Sequence, residues 1–224
     1  MTSGKEGDAM KNTLLVAVSA TLALGAAAAP QKKQHVPDRL DGIRLINRAA
    51  SEKNHVLIVN VGGAIPSEDW GDVVTYAASR LQINVWTNSA DKIDIAAYAL
   101  SPAKVQQDFG DKAKVCVFMI DDPRLASITG APGCWCAMNL CNVKRDNPDR
   151  QTQRDRYAKM ILRGLAYGGG AGVSLEPMCS LFYGGITLGG MDKTGIMISP
   201  ATYFPMLEVF RAVGGGEMLT PAMD

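Results

Sequence analysis

Four carboxylate side chains are the strongest candidates for catalysis: Asp121, Asp122, Asp149 and Glu176. Asp121 and Asp122 end an apolar run, and side chains at strand ends in α/β folds often face the ligand crevice. Asp149 and Glu176 lie near a segment predicted to be helical. Two carboxylates that share a site could act as acid and base in the hydrolysis of a peptide or a glycan. The alternative is that the aspartate pair forms a turn and that residues 146–156 form a solvated loop of mixed charge.

Other reaction chemistries lack their essential residues. The chain has two histidines, His35 and His55, so a zinc site built from three histidines is impossible. No Gly-x-Ser-x-Gly elbow is present for a serine nucleophile. The glycine run 168–172 follows a predicted helix instead of preceding one, which disfavours binding of a phosphate or a dinucleotide. We expect no metal and no cofactor.

The five cysteines allow several arrangements. Cys116 lies within an apolar run and is predicted to be a core residue of a strand. Cys134 and Cys136 flank a tryptophan, so both would face the same way on a strand. Cys141 and Cys179 are the preferred disulfide pair, because both lie at predicted element edges. The odd count leaves at least one thiol unpaired, and a cysteine metal site is an alternative.

Apolar spacing and turn residues predict alternating strands and helices. Strands are expected over 55–61, 83–87, 114–120 and 135–140. Helices are expected over 38–54, 67–81, 102–109, 152–167 and 201–213, with a connector over 96–103. The alternation early in the chain indicates an α/β sandwich in a single domain. Glycine clusters predict a C-terminal third that is rich in loops.

The order of these elements resembles that of metzincin-type zinc peptidases, and among them the archaemetzincin-like branch. The resemblance spans roughly residues 55–210 and implies a mixed sheet with a central active-site helix. In that family an edge strand, here matched by residues 133–139, and a loop, here the charged segment 144–156, precede a helix that carries His-Glu-x-x-His. A glycine turn then delivers a third histidine.

Matched to this motif, the chain has none of the catalytic side chains. Arg163 takes the place of the first histidine, Gly164 that of the glutamate and Tyr167 that of the second histidine, and Gly170 matches the turn glycine. Zinc catalysis needs two imidazoles one helical turn apart and a carboxylate that deprotonates the bound water. The resemblance therefore implies a pseudo-peptidase with a degenerate active-site helix.

The N-terminus predicts export to the periplasm or the cell exterior. A basic start at Met10 and Lys11 precedes an apolar run over 14–24 and then small residues, which is the pattern of a signal peptide cleaved after Ala28. Residues 1–9 are a polar extension, 29–37 a leader and 38–224 the globular domain. The apolar run is too short for a membrane span, because a span needs roughly 20 apolar residues.

Two functional hypotheses follow from these patterns. The first is an exported protein without zinc ligands that has a binding or structural role, with a protein or glycoprotein as its partner. The alternative is a secreted hydrolase that uses a carboxylate-based site. The net charge of +1 gives no electrostatic footprint for nucleic acid. The sequence does not determine an oligomeric state.

Overall fold

The fold is built around one five-stranded sheet. A computed structural model describes residues 35–36, 56–81, 83, 85–110, 113–171, 173–182 and 187–212. The strands are β1 (Val56–Val61), β2 (Trp86–Ala90), β3 (Val115–Ile120), β4 (Ile128–Ala131) and β5 (Trp135–Asn139). Their spatial order is β2-β1-β3-β5-β4. All neighbouring pairs are parallel except β4 and β5, so the mixed α/β sheet that the sequence indicated is present.

Six α-helices and one 3₁₀-helix accompany the sheet in the described part of the chain. The α-helices are α1 (Ser67–Leu81), α2 (Ile95–Leu100), α3 (Ala103–Phe109), α4 (Arg150–Gly168), α5 (Leu188–Lys193) and α6 (Pro200–Ala212). The 3₁₀-helix Cys141–Lys144 links β5 towards α4. None of the helices among these residues is both long enough and apolar enough to cross a membrane.

Alternation along the inner strands creates two separate cores. Val115, Val117 and Met119 of β3 face the layer that contains α1 and α4. Cys116 and Phe118, between them in sequence, face the layer that contains α2 and α3. Successive side chains of a strand point to opposite faces, and helices cover both faces of the sheet here. Every residue of β3 is therefore buried. This confirms β3 as the central strand and Cys116 as a core residue.

Local capping and turn residues define both ends of α4. The Asp149 side chain accepts a hydrogen bond of 3.0 Å from the Thr152 amide, which caps the first turn. At the other end Gly170 has a φ of +73°, a left-handed conformation that glycine adopts without strain. Between these residues the helix runs back along the sheet, opposite to β5.

Two strand predictions were wrong in position. The strand expected over 83–87 is β2, which begins at Trp86 and pairs with β1 from Leu57 onwards. β2 is an edge strand whose central residues are polar and exposed. The apolar residues on which the prediction was based lie just before it in the chain. The segment 133–139 was expected to be the edge strand, but β5 lies inside the sheet, and the edge beside it is formed by the unpredicted strand β4. With four residues, β4 is too short for a clear alternation.

Three further interpretations are also corrected. The connector expected over 96–103 contains α2, whose N-cap Asp94 accepts a hydrogen bond from the amide of Ala97. The charged loop expected over 144–156 includes the first two turns of α4. Cys134 precedes β5 and packs with the α2–α3 core, whereas Cys136 packs with the α1–α4 core, so the two do not face the same way.

The leader contributes two described residues to the fold. Val36 is 1% exposed, and its amide donates a hydrogen bond of 2.9 Å to the Asp155 carboxylate on α4. His35 Nδ1 also bonds this carboxylate. This short segment therefore fastens the chain that precedes β1 to α4. The predicted helix 38–54, His55 and the signal peptide lie outside the described residues.

Candidate functional site

Asp121 and Asp122 line a crevice of about 860 Å³ at the carboxyl ends of β1 and β3. Both carboxylates have cationic partners. Asp121 accepts a hydrogen bond of 2.7 Å from the Lys144 ammonium. Asp122 accepts two bonds, of 2.9 and 2.7 Å, from the guanidinium of Arg124, which lower the pKa of this carboxyl to about 2. A carboxyl that acts as general acid needs the opposite shift, so Asp122 lacks the electrostatics of a general acid.

The other two carboxylates do not join this crevice. Asp149 is the N-cap of α4, and its hydrogen bonds with Thr152 hold the pKa of the carboxyl below its usual value. Glu176 lies in the loop beyond the opposite end of the helix, with an exposed side chain. Neither residue lines the crevice. The structure therefore brings Asp121 and Asp122 together and leaves Asp149 and Glu176 elsewhere.

The predicted disulfide is absent, and all five cysteines are free. Cys141 begins the 3₁₀-helix after β5, whereas Cys179 is buried in the loop that follows α4. The Cys179 thiol instead accepts hydrogen bonds from the amides of Leu181 and Ser199, at 3.4 and 3.3 Å. The predicted pairing of Cys141 with Cys179 is thus wrong. Cys141 lies before the start of α4 in the chain, and Cys179 lies in the loop after its end.

Arg163 is the most unusual charged residue of α4. Its side chain is almost fully buried, with 6% of the residue exposed. One terminal nitrogen donates a hydrogen bond of 3.0 Å to the carbonyl of Phe182, and Nε is buried without a partner. Burial lowers the pKa of the guanidinium because the charged form loses its hydration. No described carboxylate pairs with it, although a buried charge is costly when it is unpaired.

Gly164 allows α4 to approach the sheet closely. A Cβ atom at this position would lie 2.6 Å from Val117 Cγ1 on β3 and 2.8 Å from Met138 Cγ on β5. The Gly164 carbonyl also accepts a hydrogen bond of 3.2 Å from the Cys136 thiol. A larger side chain would therefore displace the core, and a carboxylate on this residue would be directed into apolar surroundings.

Tyr167 and Gly170 join the helix end to the sheet edge. The Tyr167 hydroxyl donates a hydrogen bond of 3.3 Å to the Gly130 carbonyl on β4. The Tyr167 carbonyl accepts bonds from the amides of Gly133 and Gly170. The four residues of the predicted degenerate motif thus lie together at the C-terminal end of α4.

Two cavities meet at Arg163. The first, here named the arginine cavity, has a volume of about 260 Å³ and is lined by Arg145 and Arg163 together with Ile128, Val143, Met160 and Leu188. The second, here named the tyrosine cavity, has a volume of about 320 Å³ and is lined by Tyr167 and Val173. Ile128 and Arg163 line both cavities, so the edge strand and α4 enclose them jointly.

Sequence reasoning missed Arg145 and did not recognise the burial of Arg163. A signal for Arg163 exists in the sequence: no acidic residue occurs between Asp155 and Glu176. An arginine in such a stretch has no carboxylate one helical turn away. Arg145 has no comparable signal, because Asp146 and Asp149 follow it closely.

Comparison with known proteins identifies the fold. By sequence, no protein family and no curated protein matches the chain. Among solved structures, the archaemetzincin from Methanopyrus kandleri is similar with a TM-score of 0.55 at 14% identity, covering 75% of this chain and 99% of that one. A zinc-dependent peptidase from Methanocorpusculum labreanum is similar with a TM-score of 0.53 at 10% identity, covering 67% and 99%. The chain therefore has an archaemetzincin-like fold.

Proposed function

We propose that this chain is an exported, non-catalytic binding protein that uses the scaffold of a zinc peptidase. The observation that carries the proposal is the position of Arg163. In the structure this residue is a buried cation beside two cavities. In the sequence match to the family motif, it takes the place of a zinc-binding histidine. A cation repels a metal ion at this place and favours an anion instead.

The donor set at the end of α4 does not fit zinc. Zinc in proteins is held by thiolate, imidazole or carboxylate groups. Tyr167 uses its hydroxyl in a hydrogen bond to Gly130, and Gly164 has no side chain. Among the residues that the structure describes, no three His, Cys, Asp or Glu side chains gather to hold a metal.

The carboxylate alternative has less support. Lys144 and Arg124 neutralise Asp121 and Asp122, and the hydrogen bonds from Arg124 lower the pKa of the Asp122 carboxyl. Asp149 is occupied by the capping of α4. A hydrolase that used these groups would have to break two ion pairs before it could bind a substrate.

Metal analysis combined with a protease assay tests the proposal. The purified full chain should contain much less than one zinc per chain after incubation with zinc and dialysis, and it should not cleave casein. One zinc per chain, or casein cleavage that purifies with the protein, would overturn the proposal. If cleavage occurs, its loss in Asp121→Asn or Asp122→Asn would indicate the carboxylate alternative.

Export is the second part of the proposal, and the apolar run over 14–24 supports it. Expression of the full chain in a bacterial host, followed by fractionation, should place the mature protein outside the cytoplasm. N-terminal sequencing should begin at Ala29. An uncut chain that stays in the cytoplasm would contradict this part alone.

A further inference from the structure

We propose that the arginine cavity binds a small monocarboxylate with an apolar chain, with Arg163 holding the carboxylate. The inference rests on the proposed function, since it names the class of ligand that a non-catalytic site at this place would bind. It depends on three observations: an arginine without a carboxylate partner, a second such arginine in the same cavity and a largely apolar wall.

The first observation is a contrast among the buried arginines of α4. Arg154 pairs with Asp69 and Asp72, and Arg156 pairs with Asp146 and Asp192. Arg163 is also buried, with 6% of the residue exposed, and it donates its hydrogen bond to the neutral carbonyl of Phe182. The fold therefore supplies carboxylates to two of the three buried arginines of this helix and none, among the described residues, to the third.

The second observation concerns Arg145. Its side chain lines the same cavity as Arg163, is exposed at the surface, and forms no ion pair with a described residue. Two cations thus face one space of about 260 Å³, one at its inner wall and one towards the solvent. An anion in this space would be attracted by both, and the inner guanidinium offers planar donors that match a carboxylate.

The third observation limits the kind of anion. The remaining wall includes Val143, Met160, Leu188 and Met191, which offer apolar surface to a hydrocarbon chain. Asn139 already donates both amide hydrogens to the carbonyls of Asp122 and Leu125. The wall also contains Ser127, Asn142 and Thr187, so polar donors are present, but its apolar residues favour an anion that carries a hydrocarbon chain over a phosphate. One negative charge on an apolar chain satisfies both the arginine and the wall.

Calorimetry with octanoate as the probe tests this inference on the full chain. Octanoate should bind saturably, and 1-octanol, which has the same chain without the charge, should bind at least about tenfold more weakly. Inorganic phosphate should bind more weakly than octanoate as well. Equal binding of octanol, tighter binding of phosphate, or no binding of octanoate would overturn the inference.

Three variants locate the site. Arg163→Met should weaken octanoate binding at least about tenfold, because it removes the charged donor and keeps the side-chain volume. Arg145→Met, at the exposed side, should weaken binding by a smaller factor and tests the site even if the Arg163 variant does not fold. Arg124→Met, an exposed arginine outside this cavity, should leave binding unchanged. Wild-type affinity in a folded Arg163→Met or in Arg145→Met would contradict the inference.

The two proposals fail in different ways. If octanoate does not bind and the protein holds no zinc and cleaves nothing, the ligand class is wrong while the non-catalytic role stands. If the protein holds stoichiometric zinc, the non-catalytic role is wrong whatever octanoate does. Metal content and calorimetry together therefore separate the two failures.

Discussion

The Cys136 thiol on β5 donates a hydrogen bond of 3.2 Å to the backbone carbonyl of Gly164 on α4. So short a contact between a strand side chain and a helix backbone requires a helix residue without a Cβ atom. Gly168, one turn further on, makes the same approach, since a Cβ atom there would lie 2.6 Å from Val115 Cγ1. These glycines determine how closely α4 packs on the sheet, and thus where Arg163 lies.

Gly164→Ala is expected to destabilise the protein despite the higher helix propensity of alanine. The added methyl group must displace Val117 and Met138, and overpacking of this kind costs about 1–3 kcal/mol, against about 1 kcal/mol gained in helix propensity. We expect a net loss of up to about 2 kcal/mol in the free energy of unfolding, measured by urea denaturation.

Gly71→Ala is the matched control for this substitution. Gly71 also lies inside a helix, and a Cβ atom there would contact nothing within 4 Å. This variant should gain about 0.5–1 kcal/mol, because alanine loses less conformational entropy than glycine. Equal effects of the two substitutions would show that close packing at Gly164 is not what matters.

Arg156→Met should destabilise the fold more than loss of an exposed arginine. The Arg156 side chain is 2% exposed and pairs with Asp146 and Asp192, and it also donates a hydrogen bond to the Val143 carbonyl. The Asp146 side chain is 52% exposed, so removal of Arg156 would not leave it as a buried charge. We expect a loss of about 2 kcal/mol in the free energy of unfolding.

Arg124→Met serves as the comparison for Arg156→Met. The Arg124 side chain is 85% exposed in its ion pair with Asp122, so solvent screens the interaction. Thermal unfolding of this variant should match that of the wild type within error. A larger shift in Tm for Arg124→Met than for Arg156→Met would contradict the burial argument.

The pH dependence of Asp122 follows from the same ion pair. Hydrogen bonds from Arg124 lower the pKa of the Asp122 carboxyl to about 2 in the folded protein, from roughly 3.9 in an unfolded chain. Because the pair is exposed and screened by solvent, its contribution to the stability of the folded state is small. That contribution is present above roughly pH 4 and is lost as the pH falls through about 2. A carboxyl-carbon NMR titration should find this low pKa, and Arg124→Met should return it towards the ordinary value.

Thiol labelling distinguishes the buried from the accessible cysteines. Burial raises the pKa of the Cys116 thiol to about 12 and also raises that of Cys136, so both stay protonated and unreactive at neutral pH. Iodoacetamide should label Cys134 and Cys141, which are partly exposed, before the three buried thiols. A mass spectrum showing Cys141 joined to Cys179 would instead restore the disulfide that the sequence indicated.

The sequence by itself determined the elements with strong periodicity. The bounds of α1 agree with the prediction, and β3 and α4 differ from theirs by one or two residues. The apolar residues of α1 and α4 recur at helical spacing and β3 is a continuous apolar run, so the sequence pattern of each reports its structure. It also determined that the chain has only two histidines, too few for a zinc site of three, from which the non-catalytic proposal began.

Only the tertiary structure decided which charges are neutralised and which stay unpaired. Asp155 and Arg163 lie on the same helix, yet Asp155 bonds Val36 from the leader whereas Arg163 meets the carbonyl of Phe182. These partners lie far away in sequence or in loops without periodicity, so no local sequence pattern predicts these contacts. The short edge strand β4 was hidden for the same reason, because pairing with β5 stabilises it more than its own four residues do.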